Sequence, residues 1–257
     1  MNNTTIALHQ VEFEQKSFWR NPASAFFAFL FPIIFLVVFA SLFKGQTVQI
    51  GTVHTSYDNY YIPALVAFGV MGACFTNIAV TISLRRDNGI LKRLRGTPLP
   101  PWAFIAGVIG SSIIVSVVLA VLTTGFGILV YGVHVPEHFG AAAATIAVGA
   151  LSFCALGLAM TIAIPNAEAA PAIVNGVFLP IVFISGTFFP VAPSNVLAKI
   201  AEWFPVRHFI DGMFTAFDPG RQSSSGFNGT DLLIMAAWGV GAVVVCVLKF
   251  RWEPNKG

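Results

Sequence analysis

Charged side chains are concentrated in one short segment of the sequence, between residues 85 and 95. Aliphatic residues at helical spacing interrupt the basic ones: Ile90, Leu91 and Leu94. We predict a short helix over residues 88–94, because Gly96 and Pro98 follow and both residue types end helices. Such a helix can dock its apolar face into a groove on a cytoplasmic partner. The alternative is that the basic residues only anchor the loop to anionic lipid.

Other side chains capable of chemistry are scattered. His208 and Asp211 lie one helical turn apart, but a zinc site needs more ligands than these two. Glu168 can be a proton site or a carboxylate at a membrane interface. The sequence has no phosphate-binding loop, no H-E-x-x-H and no G-x-S-x-G motif. We therefore expect no catalytic residue, no metal and no cofactor in this chain, and any energy it uses must come from another chain.

Long apolar runs surround these residues. The 257 residues are 56% hydrophobic and 10% charged, and the mean hydropathy is +0.79. A helix needs about 20 apolar residues to cross a bilayer. The runs predict an all-α integral membrane protein with six spans, at about 22–43, 60–83, 102–124, 140–163, 169–188 and 231–249. Residues 1–21 predict an amphipathic helix on the membrane surface, the alternative being a frayed tail.

The basic residues also predict the orientation. With both termini in the cytoplasm, ten Lys and Arg residues fall inside and four outside. Cytoplasmic segments usually carry this excess, so we predict cytoplasmic termini.

The predicted external segment 185–230 is unusually apolar for an exposed loop. Four prolines break it too often for a single span. Ser194 can cap a short helix that ends near Phe204, and Pro205 can begin another that runs to about Phe217. We predict a re-entrant helical hairpin over 189–220 that acts as a lid. The alternative is a pair of interfacial helices with aromatic anchors.

Four motifs in order resemble the permease subunits of type-2 ATP-binding-cassette (ABC) exporters. They are residues 18–22 with Phe31-Pro32, residues 58–63, residues 85–98, and residues 185–190 with 203–205. The sequence departs from the family pattern at Asp87, Ile90 and Phe204. The resemblance implies a single transmembrane domain over 1–257.

The resemblance also implies roles for particular residues. Those coupling the chain to an ATPase would be Arg86, Asp87, Gly89, Ile90, Leu91, Arg93, Leu94, Thr97 and Pro98. Those forming an external gate would be Gly186, Phe188, Phe189, Pro190, Trp203, Phe204 and Pro205. Those lining a substrate pathway would be Tyr61, Phe68, Asn77, Asn175 and Phe178, although hydrogen bonding between helices also explains the two asparagines.

The expected function is that of a membrane-spanning subunit of an ATP-driven exporter in the bacterial plasma membrane. Its substrate would be amphipathic, a drug or a lipid-like molecule. Its partners would be two ABC ATPase subunits that bind ATP and Mg, a second permease chain, identical or homologous, and membrane lipid, with no nucleic acid. The alternatives are a polysaccharide exporter permease, a membrane scaffold or immunity protein, and a secondary transporter or channel that works alone.

Overall fold

Helices make up most of the described residues. The computed structural model describes residues 3–50, 53–133, 135–191, 195–217, 225–250 and 252. Its helices are α1 (Asn3–Trp19), α2 (Pro22–Leu42), α3 (Tyr57–Met71), α4 (Asn77–Asp87), α5 (Ile90–Arg95), α6 (Pro101–Tyr131), α7 (Phe139–Met160), α8 (Ala170–Ile184), α9 (Val196–Ala201), α10 (Pro205–Phe217) and α11 (Gly229–Lys249). The predicted all-α fold class is confirmed.

Among the described residues, five helices are long and apolar enough to cross a membrane: Ala25–Leu42 within α2, Tyr57–Asp87, α6, α7 and α11. Tyr57–Asp87 is one continuous helix, in which a π-helical turn at Gly72–Thr76 joins α3 to α4. The predicted fifth span, 169–188, corresponds to α8, which has 15 residues and rises about 22 Å. It ends early because Gly186 adopts a left-handed conformation, φ +87°. Its role as a sixth crossing stays a prediction.

A small sheet precedes α3. Strands β1 (Thr47–Ile50) and β2 (Val53–Ser56) pair in antiparallel register, with Val48 opposite Thr55. Sequence analysis did not predict this hairpin. Its alternating β-branched residues are a signal that could have revealed it.

Helix α1 packs along the first half of α6 rather than fraying. A Cβ atom at Gly107 would overlap the side chain of Gln10, so the two helices approach closely there. The side-chain amide of Gln15 donates to the backbone oxygen and the hydroxyl of Ser111, at 2.9 and 3.0 Å.

Helix α3 is the centre of the core, and every residue from Tyr60 to Met71 is buried. It contacts α2, α6, α7 and α10. The π-helical turn lies against α7, where a Cβ at Gly157 would come within 2.7 Å of the Phe75 carbonyl oxygen. A residue larger than glycine would therefore push α7 away from the turn.

The molecule has two distinct ends. The basic end comprises the end of α4, α5, the start of α6 and the turn 161–169 between α7 and α8. The far end comprises the β-hairpin, residues 185–190, α9, α10 and the start of α11. Two parts of the predicted lid, residues 192–194, which include Ser194, and residues 218–220, lie outside the described residues.

Candidate functional site

A groove of about 550 Å³ lies between α2, α8 and the helix that contains the π turn. Four of the five predicted pathway residues line it: Phe68, Asn77, Asn175 and Phe178. The rest of the wall is mostly aromatic and aliphatic, and Thr76 adds a hydroxyl. A groove of this composition suits a ligand with a large apolar part and a small polar one.

Tyr61 lies apart from the other predicted pathway residues. Its side chain is fully buried and its ring stacks on Phe39, with centroids 4.9 Å apart. It is not among the residues that line the groove. Residue 61 faces α2 nearer the far end, because it lies two turns before Phe68 on α3.

A row of phenylalanines on α2 and just after its last residue leads from the groove to the far end. The residues are spaced by four: Phe31, Phe35, Phe39 and Phe43. Successive ring centroids are 4.5, 5.6 and 6.5 Å apart. Phe31 lines the groove. We call these four residues the phenylalanine row. This row was not predicted from the sequence, although side chains four residues apart share a helix face.

The predicted gate residues of segment 186–190 pack against the middle of this row. The ring of Phe188 is buried, 5.6 Å from Phe35 and 5.4 Å from Phe68. Phe189 lies 6.1 Å from Phe39 and is half exposed, and Pro190 is exposed. Segment 186–190 therefore covers the middle of the row and reaches Phe68, which also lines the groove.

Hydrogen bonds fix the backbone at the start of this segment. The Tyr60 hydroxyl donates to the Gly186 carbonyl oxygen. The guanidinium of Arg207 donates to the Ser185 carbonyl oxygen at 3.1 Å and forms an ion pair with Asp211 at 2.8 Å. Burial raises the pKa of the Asp211 carboxyl to about 6, and Arg207 opposes this shift.

The remaining predicted gate residues form a second group on α11. The Trp203 carbonyl oxygen accepts a hydrogen bond from Trp238 at 3.2 Å, and Phe204 stacks on Trp238. Phe204 and Pro205 line an apolar cavity of about 320 Å³, separate from the groove. The predicted gate thus comprises two separate packing groups.

His208 ties α10 to the end of α9 and to the start of α11. Its ring nitrogens lie 2.7 Å from an Asp231 carboxylate oxygen and 2.8 Å from the Glu202 carbonyl oxygen. Across the described ranges, no cluster of three or more His, Cys, Asp or Glu side chains could hold a metal ion.

At the basic end, the predicted docking helix is α5. It begins at Ile90, two residues later than predicted, because Gly89 turns the chain with φ +68°. Leu91 is fully buried, and Leu94 is partly buried against the core. The exposed side chains of this segment include Ile90, Arg93, Thr97 and Pro98. A partner would therefore meet a mixed surface of basic and apolar groups.

Two predicted coupling residues are turned inward instead. Arg86 is 2% exposed, and its guanidinium donates to the carbonyl oxygens of Thr161 and Ile164 at 2.7 and 2.5 Å. Asp87 accepts a hydrogen bond from the backbone N–H of Ala167 at 2.7 Å. These side chains bind the turn between α7 and α8 and do not point towards solvent.

A buried ion pair beside Arg86 and Asp87 was not predicted from the sequence. Both guanidinium nitrogens of Arg85 donate to the Glu14 carboxylate at 2.7 Å. Their side chains are 16% and 7% exposed. The pair ties α1 to the end of α4. The signal for this ion pair in the sequence was Glu14, an acidic residue within the predicted interfacial helix. The spacing of residues along the sequence could not identify Arg85 as its partner.

A multi-pass helical membrane protein with a lateral groove and a basic exposed helix has the features of a transporter membrane subunit. A family model described as ABC-2 type transporter matches residues 9–217. The chain therefore belongs to the ABC-2 type transporter family and is a transport permease, a component without a nucleotide-binding domain of its own.

Named relatives agree with this assignment. The chain is 25% identical over 227 residues to a protein of Porphyra purpurea named as a transport permease, ycf38, covering 86% of this chain and 75% of that one. It is 24% identical to the protein of the same name in Pyropia yezoensis, and the match covers 90% of this chain and 79% of that one. It is also 24% identical to YbhR of Escherichia coli, which is named as a multidrug ABC transporter permease. That match covers 60% of this chain and 42% of YbhR.

Proposed function

We propose that this permease carries an amphipathic substrate outward through the groove, and that a separate ATPase drives the movement. The observation that carries the proposal is the pairing of the groove with α5, the partly exposed helix that follows the end of the same α3–α4 helix. The mostly apolar wall, with Thr76, Asn77 and Asn175, favours a drug or a lipid-like molecule over a polysaccharide. The name of YbhR, a multidrug ABC transporter permease, gives weak support to a drug as the substrate.

In this proposal the basic end faces the cytoplasm, and both termini lie there. The excess of Lys and Arg at that end supports this orientation in a bacterial plasma membrane. Two ATPase subunits bind ATP and Mg beneath the membrane, and a second permease chain completes the pathway. Exposed apolar side chains on α2, including Phe27, Ile34 and Val38, are available to that chain or to lipid.

The exposed face of α5 provides the test. We expect the double substitution Ile90→Ser and Arg93→Ser to reduce co-purification with the ATPase and to abolish its stimulation, because both side chains face outward. Leu91 is left intact because it is buried in the core. Co-purification and ATP hydrolysis in lipid nanodiscs are the measurements.

The matched control is Lys16→Ser, which removes an exposed basic residue from α1. It should leave assembly unchanged. Equal losses in the two variants would mean that the basic end interacts with anionic lipid and not with an ATPase. Undiminished assembly and stimulation in the double variant would contradict the coupling role of α5. Assembly without ATP-dependent transport of any amphipathic substrate would favour a scaffold.

A further inference from the structure

Helix α8 is held in the bundle by a narrow seam. Its buried residues are spaced by four: Ala170, Val174, Phe178 and Val182. The groove lies on one flank and the apolar cavity of about 320 Å³ on the other, and Phe178 lines both. A protein interior resists movement where side chains interlock. Few side chains of α8 interlock with its neighbours. Helix α8 can therefore shift sideways with little loss of packing.

The turn that leads into α8 is tied firmly to α4. The guanidinium of Arg86 holds the carbonyl oxygens of Thr161 and Ile164, and the carboxylate of Asp87 holds the N–H of Ala167. We call these three hydrogen bonds the latch. Hydrogen bonds to charged groups are stronger than neutral ones, and an unpaired buried guanidinium is costly. The turn 161–169 must therefore follow the end of α4.

The end of α4 is equally tied to α5. The N–H of Asn88 donates to the Leu84 carbonyl oxygen, and that of Gly89 donates to the Arg86 carbonyl oxygen, both at 3.0 Å. Only residues 88 and 89 separate the two helices. A displacement of α5 thus reaches Arg86 and Asp87 through continuous hydrogen-bonded backbone.

We propose that Arg86 and Asp87 are positioning residues that convert movement of α5 into movement of α8, the mobile wall of the groove. In that movement Phe178 shifts between the groove and the apolar cavity. The inference rests on the proposed function, because an ATPase must move α5. It differs from direct docking, because neither side chain faces the partner.

The test measures the position of α8 directly. Spin labels are placed at Val177 on α8 and Leu233 on α11, both exposed, while the cysteines Cys74, Cys154 and Cys246 are buried. In the complex with the ATPase, in nanodiscs, we expect trapping of the nucleotide to shift the distance between the labels. Asp87→Ala, which removes the acceptor, should abolish this shift and the stimulation of ATP hydrolysis by substrate. It should also speed amide exchange of Ala167 about tenfold in the permease alone.

Two variants keep the test interpretable. Asp87→Asn retains an oxygen that can accept from Ala167, so it should retain the distance shift. Glu168→Gln removes an exposed carboxylate from the same turn and should behave as wild type. If Asp87→Ala does not assemble, Arg86→Lys replaces it, because one ammonium cannot match the two-pronged contact of the guanidinium.

The outcomes separate the inference from the proposed function. Equal distance shifts in wild type and Asp87→Ala overturn the inference and leave the proposed function intact. The same holds if ATP-driven transport proceeds in wild type while α8 stays in place. If the wild-type permease neither assembles with an ATPase nor transports with one, the proposed function fails and the inference fails with it.

Discussion

Individual polar residues of this protein act mainly by tying distant helices together. Glu14 and Arg85 are 71 positions apart, yet they form a two-point ion pair that is shielded from solvent. A buried charge whose partner is removed keeps its desolvation cost without compensation. The pair therefore matters more for how α1 is held than a surface ion pair would.

We expect Glu14→Gln to lower the free energy of unfolding by about 3 kcal/mol, because it leaves the Arg85 guanidinium poorly compensated. Denaturant titration in detergent micelles measures this. The control is Glu12→Gln, which removes an exposed ion pair with Lys16 and should cause no measurable change. A double variant Glu14→Leu with Arg85→Met should recover much of the loss. Equal effects of Glu14→Gln and Glu12→Gln would contradict the assignment.

Asp211 makes the far end sensitive to pH. Its pKa is raised from 3.8 to about 6 by burial, so between these values the folded protein holds a proton that the unfolded chain has released. The free energy of unfolding should therefore fall as pH rises from about 4 to about 6. Asp211→Asn should flatten this slope, as measured by melting temperature across that range. An unchanged slope in Asp211→Asn would contradict the raised pKa.

At the scale of elements, the walls of the groove have different properties. Helix α2 contributes the phenylalanine row, and the helix that contains the π turn contributes buried core residues. Helix α8 is held only by its narrow seam of buried residues. Phe31 is 38% exposed and lines the groove, so shortening it removes contact area without opening the core.

We expect Phe31→Ala to raise the KM for an amphipathic substrate about tenfold, because one aromatic contact is lost. ATP-dependent uptake into inverted vesicles measures this. Phe139→Ala is the control, because that ring is exposed at the start of α7 and outside the groove. If both variants behave alike, the groove is not the binding surface.

Elements could be predicted to different degrees. Long apolar runs indicated where most spans lie, because hydropathy is a local property. Pro205 likewise indicated the start of α10. The inward turn of Arg86 could not be predicted, because its partners at 161 and 164 are brought near only by the packing of α4 against α7. Five residues were predicted to line one pathway, and four of them line the groove. Tyr61 does not, because it lies two turns before Phe68 on α3, and the sequence does not specify how far along the helix the groove extends.

At the scale of the whole molecule, contacts divide the described residues into a closely packed part and a less closely packed part. Helices α3, α6, α7, α10 and α11 pack closely around one core. Helix α8 has cavities on two flanks, and α5 projects from the basic end. This division fits a transporter whose motor is a separate chain, because a movement at one end needs a stable frame to act against.

The most direct test of the central claim is transport itself. The permease is reconstituted with its ATPase in proteoliposomes, and the movement of a fluorescent amphipathic substrate is followed with and without ATP. We predict movement that requires both the ATPase and ATP and is weakened by Phe31→Ala. Movement driven by an ion gradient in the absence of any ATPase would contradict the account.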